Sequence, residues 1–485
     1  MRNDHYFTKC ITFGRAREGL HADFQEQLRE MQREIGFEYV RFHGMFHDDM
    51  AVYDEDANGQ PVLWFGYLDK LFDFLLSAGL KPLVELGFMP IKIASVPNTT
   101  FWWQANGCPP TDYDKWHYLV QETVKHFTAR YGEDEVKTWY FEVWNEPNLG
   151  SFFRGTQEDY FRVYRVSVDA VKSVCSDYRV GGPSTSGADF REGLGYLQAF
   201  IRFCDENQLP VDFITAHPYP TYWPLDMDGK QQMGYMKKES TIEHLSHVRQ
   251  IVDDSPFAGA EIHLTEWNSS PSPRDLIHDT PFMAPYIIYN ITHNFGNVDS
   301  LGFWTFTDVF EENGPGKNPF HGGFGLMNVD GIKKPAYWGY WLLNKLGEEI
   351  VSITDYSIVT RMGEDYQVLV YNYCYYKDDF AKGDRSALHE TCRDNVFQNR
   401  VLPVDMTLEL NGHYQQTAYT LDKTTSALHN WVSMGAPKYP TQAEIAQLKR
   451  LSRPAESISV VNNFRFHDHL APQEVRMFLL KKISD

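Results

Sequence analysis

Two patterns of apolar residues alternate along most of the chain. Short runs, apolar at nearly every position, are followed by polar loops and then by longer stretches apolar at every third or fourth position. The short runs, at 10–14, 39–44, 82–88, 138–144, 179–182, 211–216, 262–267 and 301–307, read as strands. The longer stretches, at 22–35, 64–78, 115–131, 157–174, 195–207, 241–253, 281–295 and 335–346, read as helices. In the first of them Leu20, Phe24, Leu28, Met31 and Ile35 form the stripe of an amphipathic helix, and Gly36 stops it. Gly79 plays the same part after Leu71, Phe72, Leu75 and Leu76.

Strands that are apolar throughout, each followed by a helix, predict a parallel sheet covered by helices. Eight repeats predict a closed (β/α)8 TIM barrel, an α/β fold. A doubly wound sheet is the competing reading, but no glycine-rich phosphate loop opens any of the helices. Past residue 350 the helical period fades. Strands are expected at 353–361, 366–376, 406–410, 415–421, 457–461 and 475–480, with one short helix at 443–451. This is the texture of an accessory antiparallel β-sandwich. A 485-residue chain exceeds one core of about 250–300 residues. We therefore expect a catalytic barrel over 1–347 and a sandwich over 348–485.

Charge narrows the partners. The net charge of −20 repels phosphate backbones and anionic membrane surfaces, so nucleic acid is not expected as a ligand. No run of about 18 apolar residues predicts a membrane span. The aromatic content, 12 Trp, 28 Tyr and 33 Phe, exceeds what packing alone asks and suits a site that stacks sugar rings. The six cysteines are scattered with no CxxC pair, which fits a reducing compartment, and the first ten residues lack a secretory h-region. The expected location is cytoplasmic. A homo-oligomer is compatible with the chain.

In a barrel of this type the active site sits at the C-terminal ends of the strands. Glu146 ends the fourth strand and Glu266 the seventh. A barrel can bring two such residues face to face, and a pair of opposed carboxylates is what glycoside hydrolysis needs. A spacing of roughly 5–5.5 Å would imply retention, and roughly 6.5–9.5 Å inversion. Glu85 and Glu142 read instead as buried partners of an arginine such as Arg41. His43, His47, Asp48 and Asp49 have the composition of a metal site, but the chain offers no HExxH or EF-loop pattern.

The segment Phe141-Glu142-Val143-Trp144-Asn145-Glu146-Pro147-Asn148 resembles the acid/base signature of the retaining (β/α)8 glycosidases. Further segments narrow the resemblance to glycoside hydrolase family 39, and within it to the β-xylosidase branch. They are Arg41-Phe42-His43-Gly44, Val211-Asp212-Phe213 leading to His217, Leu264-Thr265-Glu266-Trp267-Asn268, Trp304-Thr305-Phe306 continuing to Glu312, and Phe320-His321-Gly322-Gly323-Phe324-Gly325.

The resemblance implies an exo-acting retaining enzyme that releases xylose from the non-reducing end of short xylo-oligosaccharides, with no metal or organic cofactor. Glu146 would be the acid/base and Glu266 the nucleophile. Asn145 would hold the sugar 2-hydroxyl and Tyr219 would hydrogen-bond Glu266. His43, His217 and Glu312 would bind the remaining hydroxyls, and Trp304 would form a wall. Glu311 competes with Glu312, since one residue of register decides which faces the site. Trp102 or Trp103 would line the same site. Another terminal sugar (an arabinoside, galactoside, glucoside or uronide) and a sugar-binding relative without catalysis stand as alternatives. For a uronide, Arg41 and Lys317 are the candidate partners. Members of the family usually begin with a further strand that joins the sandwich; here that strand is expected to be short or missing.

Overall fold

The computed structural model describes residues 2–97, 99–187, 190–223, 231–309 and 312–484. Among them, eight parallel strands close into a barrel: β1 (Cys10–Arg15), β2 (Tyr39–His43), β3 (Lys81–Leu86), β4 (Tyr140–Val143), β5 (Arg179–Ser186), β6 (Phe213–His217), β7 (Glu261–Trp267) and β8 (Ser300–Phe303). Each pairs with its sequence neighbours, and β1 closes on β8 through Ile11 and Phe303. The covering helices are α1 (Ala22–Glu34), α2 (Gly66–Ser77), α3 (Tyr113–Tyr131), α4 (Gln157–Val174), α5 (Phe190–Glu206), α6 (Ser240–Asp253), α7 (Met283–Thr292) and α8 (Pro335–Leu343).

Local chemistry explains where these elements start and stop. Phe24, Leu28 and Met31 of α1 are buried, as the stripe predicts, and Gly36 follows at φ +79°. Thr156 caps α4 by accepting from the Asp159 amide while the Asp159 carboxylate accepts from Thr156, a reciprocal capping box. Pro335 opens α8, where its missing N–H costs nothing.

The barrel interior is layered by the two-residue strand period. Cys10, Tyr39, Leu83, Tyr140 and Phe213 make an apolar floor. Two positions further along β2, β3 and β4 lie Arg41, Glu85 and Glu142, all fully buried. The floor is thus aromatic, and charge begins one layer above it.

The chain continues into antiparallel strands β9 (Glu349–Thr354), β10 (Ser357–Met362), β11 (Asp365–Tyr371), β12 (Leu402–Leu408), β13 (His413–Leu421), β14 (Ala455–Val461), β15 (Phe464–Leu470) and β16 (Val475–Ser484). Six form one sheet in the order β9-β10-β11-β16-β13-β14, and β12 pairs with β15. Val359, Val368, Val404, Phe464, Phe466 and Phe478 fill the space between the two sheets. The sandwich also shares an apolar core with the barrel, in which Tyr371, Tyr373, Phe397 and Met477 join Phe282, Tyr286 and Tyr289.

Details depart from the sequence reading. The single strand expected at 353–361 is a hairpin that reverses at Asp355 and Tyr356, pairing Thr354 with Ser357. The strand expected to run to residue 376 ends at Tyr371, and Tyr373 leaves the sheet to pack on Tyr289. The strand Phe464–Leu470 and the helix Ala427–Ser433 were not foreseen, whereas the short helix was, and spans Gln442–Leu451. Near the chain start Arg2 forms a β-bridge with Glu349, and the Asn3 amide donates to the Glu348 carbonyl at 2.7 Å. Among the described residues no helix is long and apolar enough to cross a membrane.

Candidate active site

Irregularities in two strands aim the side chains of the site. Between Leu264 and Trp267, β7 takes three steps against two on β8, a bulge. Strict alternation would send Thr265 and Glu266 to opposite faces. The extra residue lets both reach the interior: Thr265 meets His217 and Glu142, while Glu266 meets Arg41 and Tyr219. A second irregularity in β5 leaves Ser184 between the partners of Thr215 and Ala216. Its carbonyl accepts from the Glu146 amide at 3.1 Å, and its hydroxyl donates to the Trp144 carbonyl at 3.0 Å. Trp144, Glu146 and Ser184 all have left-handed backbones, at φ +73°, +45° and +49°. Such strain persists only where the surroundings over-determine it, and here each of the three is tied to another.

The third layer of the barrel carries the acids. Arg41 sits beneath them and is fully buried. Its Nη1 donates to Glu266 Oε1 at 2.6 Å, its Nε to Glu142 at 2.9 Å, and its Nη2 reaches Glu85 at 2.7 Å and Asn145 Oδ1 at 2.8 Å. Tyr219 donates to the other oxygen of Glu266 at 3.0 Å. His43 bridges Glu85 (2.6 Å) and Glu266 (3.3 Å), and His217 Nδ1 lies 3.0 Å from Glu146 Oε1. An oxygen of Glu146, an oxygen of Glu266 and His217 Nδ1 all lie within 4.8 Å of one another.

Environment drives the two glutamates apart. Burial would raise Glu266, but His217, His43 and Arg41 outweigh it and hold this carboxyl far below the ordinary range. Glu146 moves the other way: burial raises it, the Glu266 charge adds to that, and His217 offsets only part. One carboxyl is held ionised and its neighbour is biased to the neutral acid, the division of labour that acid-assisted displacement requires. Glu312 is pushed up to about 8 by burial and by Glu266, against a hydrogen bond from the Trp304 indole. For His43, burial is overcome by Glu85 and Glu266, and the ring is pushed up to about 9.

Each expected site residue has a definite place. His43 and His217 are buried, and both nitrogens of each ring already face protein groups. Asn145 gives its oxygen to Arg41, and its amide nitrogen has no partner among the described residues. The Trp304 ring lies 4.6 Å from that of His43 and forms a wall over it. Trp103 is buried against His47, whereas Trp102 is 57% exposed and its backbone amide donates to the Glu312 carbonyl. Glu311 lies outside the described residues. Glu85 and Glu142 are partners of Arg41, as expected. His47 and Asp48 are not drawn together as a metal site. His47 bonds Asp49, which also pairs with Arg15, and Asp48 accepts from the Ile91 amide. Among the described residues Glu146, His217 and Glu266 are the acids and histidines close enough to share a cation, with the Arg41 charge beside them. The sequence reading assigned no role to Thr265 or Ser184. Thr265 adjoins Glu266, but only the bulge turns it inward.

Comparisons with known proteins agree with this chemistry. The profile of Glycosyl hydrolases family 39 matches residues 2–466. A β-xylosidase of Caldicellulosiruptor saccharolyticus is 40% identical over 94% of this chain and 91% of its own length. A β-xylosidase of Geobacillus stearothermophilus is 34% identical over 90% of this chain and 84% of its own. The crystal structure of a monomeric β-xylosidase from Caulobacter crescentus superposes with a TM-score of 0.89 at 31% identity, covering 100% of this chain and 97% of that one. With its carboxylate pair at the mouth of a (β/α)8 barrel and this extent of similarity, the chain belongs to glycoside hydrolase family 39 and is an O-glycosyl hydrolase.

Proposed function

We propose that the enzyme is an exo-acting retaining β-xylosidase, with Glu146 as acid/base and Glu266 as nucleophile. The observation that carries this reading is the pair itself: oxygens within 4.8 Å and carboxyl groups shifted in opposite directions. So close an approach of one oxygen pair supports the short carboxyl separation of retaining enzymes over the roughly 6.5–9.5 Å of inverting ones. The similarity to two β-xylosidases supports xylose as the terminal sugar.

In the first step Glu266 attacks the anomeric carbon while Glu146 gives its proton to the departing oxygen. The glycosidic C–O bond breaks as the glycosyl–Glu266 ester forms. Arg41 and Tyr219 keep Glu266 ionised and aimed until then. Esterification removes the negative charge that held Glu146 neutral, so Glu146 can accept the proton of the attacking water. The ester breaks and the sugar leaves with its original configuration. Asn145 would hold the 2-hydroxyl, a contact that strengthens toward the oxocarbenium-like transition state. Trp304, Glu312, His43 and His217 would frame the sugar ring. Arg41 is engaged by four protein groups, which weighs against its binding a uronide carboxylate. No step of this reading calls on a metal or cofactor. The six unpaired cysteines support a cytoplasmic location.

Azide rescue is the test. Glu266→Gly should yield an α-xylosyl azide and Glu146→Ala a β-xylosyl azide. Unimpaired turnover of p-nitrophenyl β-xyloside by either variant would overturn the assignment.

A further inference from the structure

Behind the acid/base lies a hydrogen-bonded row, two members of which, Glu142 and Thr265, have no part in the catalytic cycle above. Arg41 Nε donates to Glu142 Oε2 at 2.9 Å. Thr265 Oγ1 lies 2.6 Å from Glu142 Oε1 and 2.9 Å from His217 Nε2, and His217 Nδ1 lies 3.0 Å from Glu146 Oε1. Glu142, Thr265 and His217 have no solvent exposure, so water cannot substitute for any member.

The row has a direction, fixed by its far end. Arg41 has only donors, so Glu142 is held as a charge-paired carboxylate and accepts at both oxygens. The single proton of the Thr265 hydroxyl therefore points at Glu142 Oε1. That leaves a lone pair of Thr265 facing His217 Nε2, which must carry a proton. In the neutral ring Nδ1 is then bare, and it faces Glu146.

From this geometry we propose that Thr265 and Glu142 are positioning residues that lock His217 in its Nε2–H tautomer, so that Nδ1 accepts from protonated Glu146. A charged His217 would lower Glu146, whereas a hydrogen bond that the neutral carboxyl donates to the neutral ring favours the acid form, so it is in the neutral-ring state that the lock helps to keep Glu146 an acid. It also fixes the plane of the Glu146 carboxyl group. His217 thereby acts on the proton donor. The inference rests on the assignment of Glu146 as acid/base.

The groups facing His217 and Glu146 are Glu266 and Thr265 from β7, Glu142 from β4, His43 from β2, and Tyr219 and Glu312 from the loops. A shift in a pH profile alone would not single out the row, so the test uses the leaving group. Xylobiose needs a strong acid push, and an aryl xyloside with a dinitrophenolate leaving group needs almost none.

Thr265→Val removes the hydroxyl and keeps the bulk. We expect kcat/KM on xylobiose to fall roughly ten- to hundredfold, part of the 10²–10⁴ that acid catalysis supplies, with the dinitrophenyl substrate nearly unaffected. Thr265→Ser should restore most of the loss. Heteronuclear NMR of the imidazole nitrogens in the unmodified enzyme should place the His217 proton on Nε2, a readout that holds even where Thr265→Val does not fold. Equal losses on both substrates, or an imidazole that carries a proton on Nδ1, whether neutral or charged, would overturn the row. Glu146→Ala serves as the control. If that variant shows no dependence on the leaving group, the acid/base assignment itself fails, a result distinct from failure of the row.

Discussion

Arg41 and Glu266 form a 2.6 Å ion pair at the base of the site, with no solvent exposure on the arginine side chain. The same guanidinium also serves Glu85 and Glu142. Three carboxylates thus converge on one cation that water cannot replace. Breaking a buried pair from one side costs about 3–5 kcal/mol, because the surviving charges are left uncompensated. Arg41→Met should lower the melting temperature by a large step and reduce kcat more than KM, since Glu266 loses the charge that keeps it ionised. Calorimetry and steady-state kinetics on the folded fraction would check this. A variant with wild-type stability and kcat would refute the role given to Arg41.

His43 gives a pH prediction with a definite sign. Its folded-state value, about 9, lies above the free value of 6.5. The contribution of its charge to stability is therefore fully present below 6.5 and is lost as pH rises through about 9. The difference in melting temperature between wild type and His43→Asn should be largest on the acid side of this window and shrink across it. A difference that grows with pH would mean that the ring is neutral in the folded enzyme.

The sequence made the barrel and its two acids legible for a physical reason. A parallel strand buried on both faces is apolar throughout, so a Glu where such a run ends stands out against it. Glu146 and Glu266 are of this kind. The partners of the histidines were hidden, because they come from other strands and from bulges that no periodicity announces. Thr265 is the example: by alternation it belongs on the face opposite Glu266, and the register shift after Leu264 overrides that. In the sandwich, Phe464–Leu470 was masked by Arg465, His467, Asp468 and His469 between its buried residues, although Phe464 and Phe466 keep the period of two.

Arg393 ties the segment after the barrel to the loops of the site. It is buried and donates to Asp279 and to the Leu276 carbonyl at 2.8 Å each, and to the Phe320 carbonyl at 2.5 Å. Asp279 also pairs with Lys334, which reaches Asp308 at 2.6 Å, on the loop between Trp304 and Glu312. With the apolar core continuous across Phe282 and Tyr373, a chain truncated after residue 347 should not fold on its own, although we assign the catalytic machinery to 1–347. Arg393→Met in the full chain should lose about 3–5 kcal/mol, with Asp279 left half-paired. A soluble, active truncation with a cooperative melting transition would show that the sandwich is dispensable.

Removing metal should leave the activity unchanged. Glu146, His217 and Glu266 come within 4.8 Å of one another, a set that could be mistaken for a cation site. Their partners argue otherwise. Arg41 at 2.6 Å from Glu266 already supplies a positive charge there, and His43, at 3.3 Å, adds a second when protonated. A divalent cation would face repulsion from both. Glu146, biased to the neutral acid, is a poor ligand in the state the first step needs. Dialysis against EDTA should therefore leave kcat/KM on xylobiose at its starting value, and restoring zinc or calcium should not raise it. Loss of activity on chelation, recovered by one particular metal, would show that this trio binds a cation and that the proton transfer assigned to Glu146 is wrong.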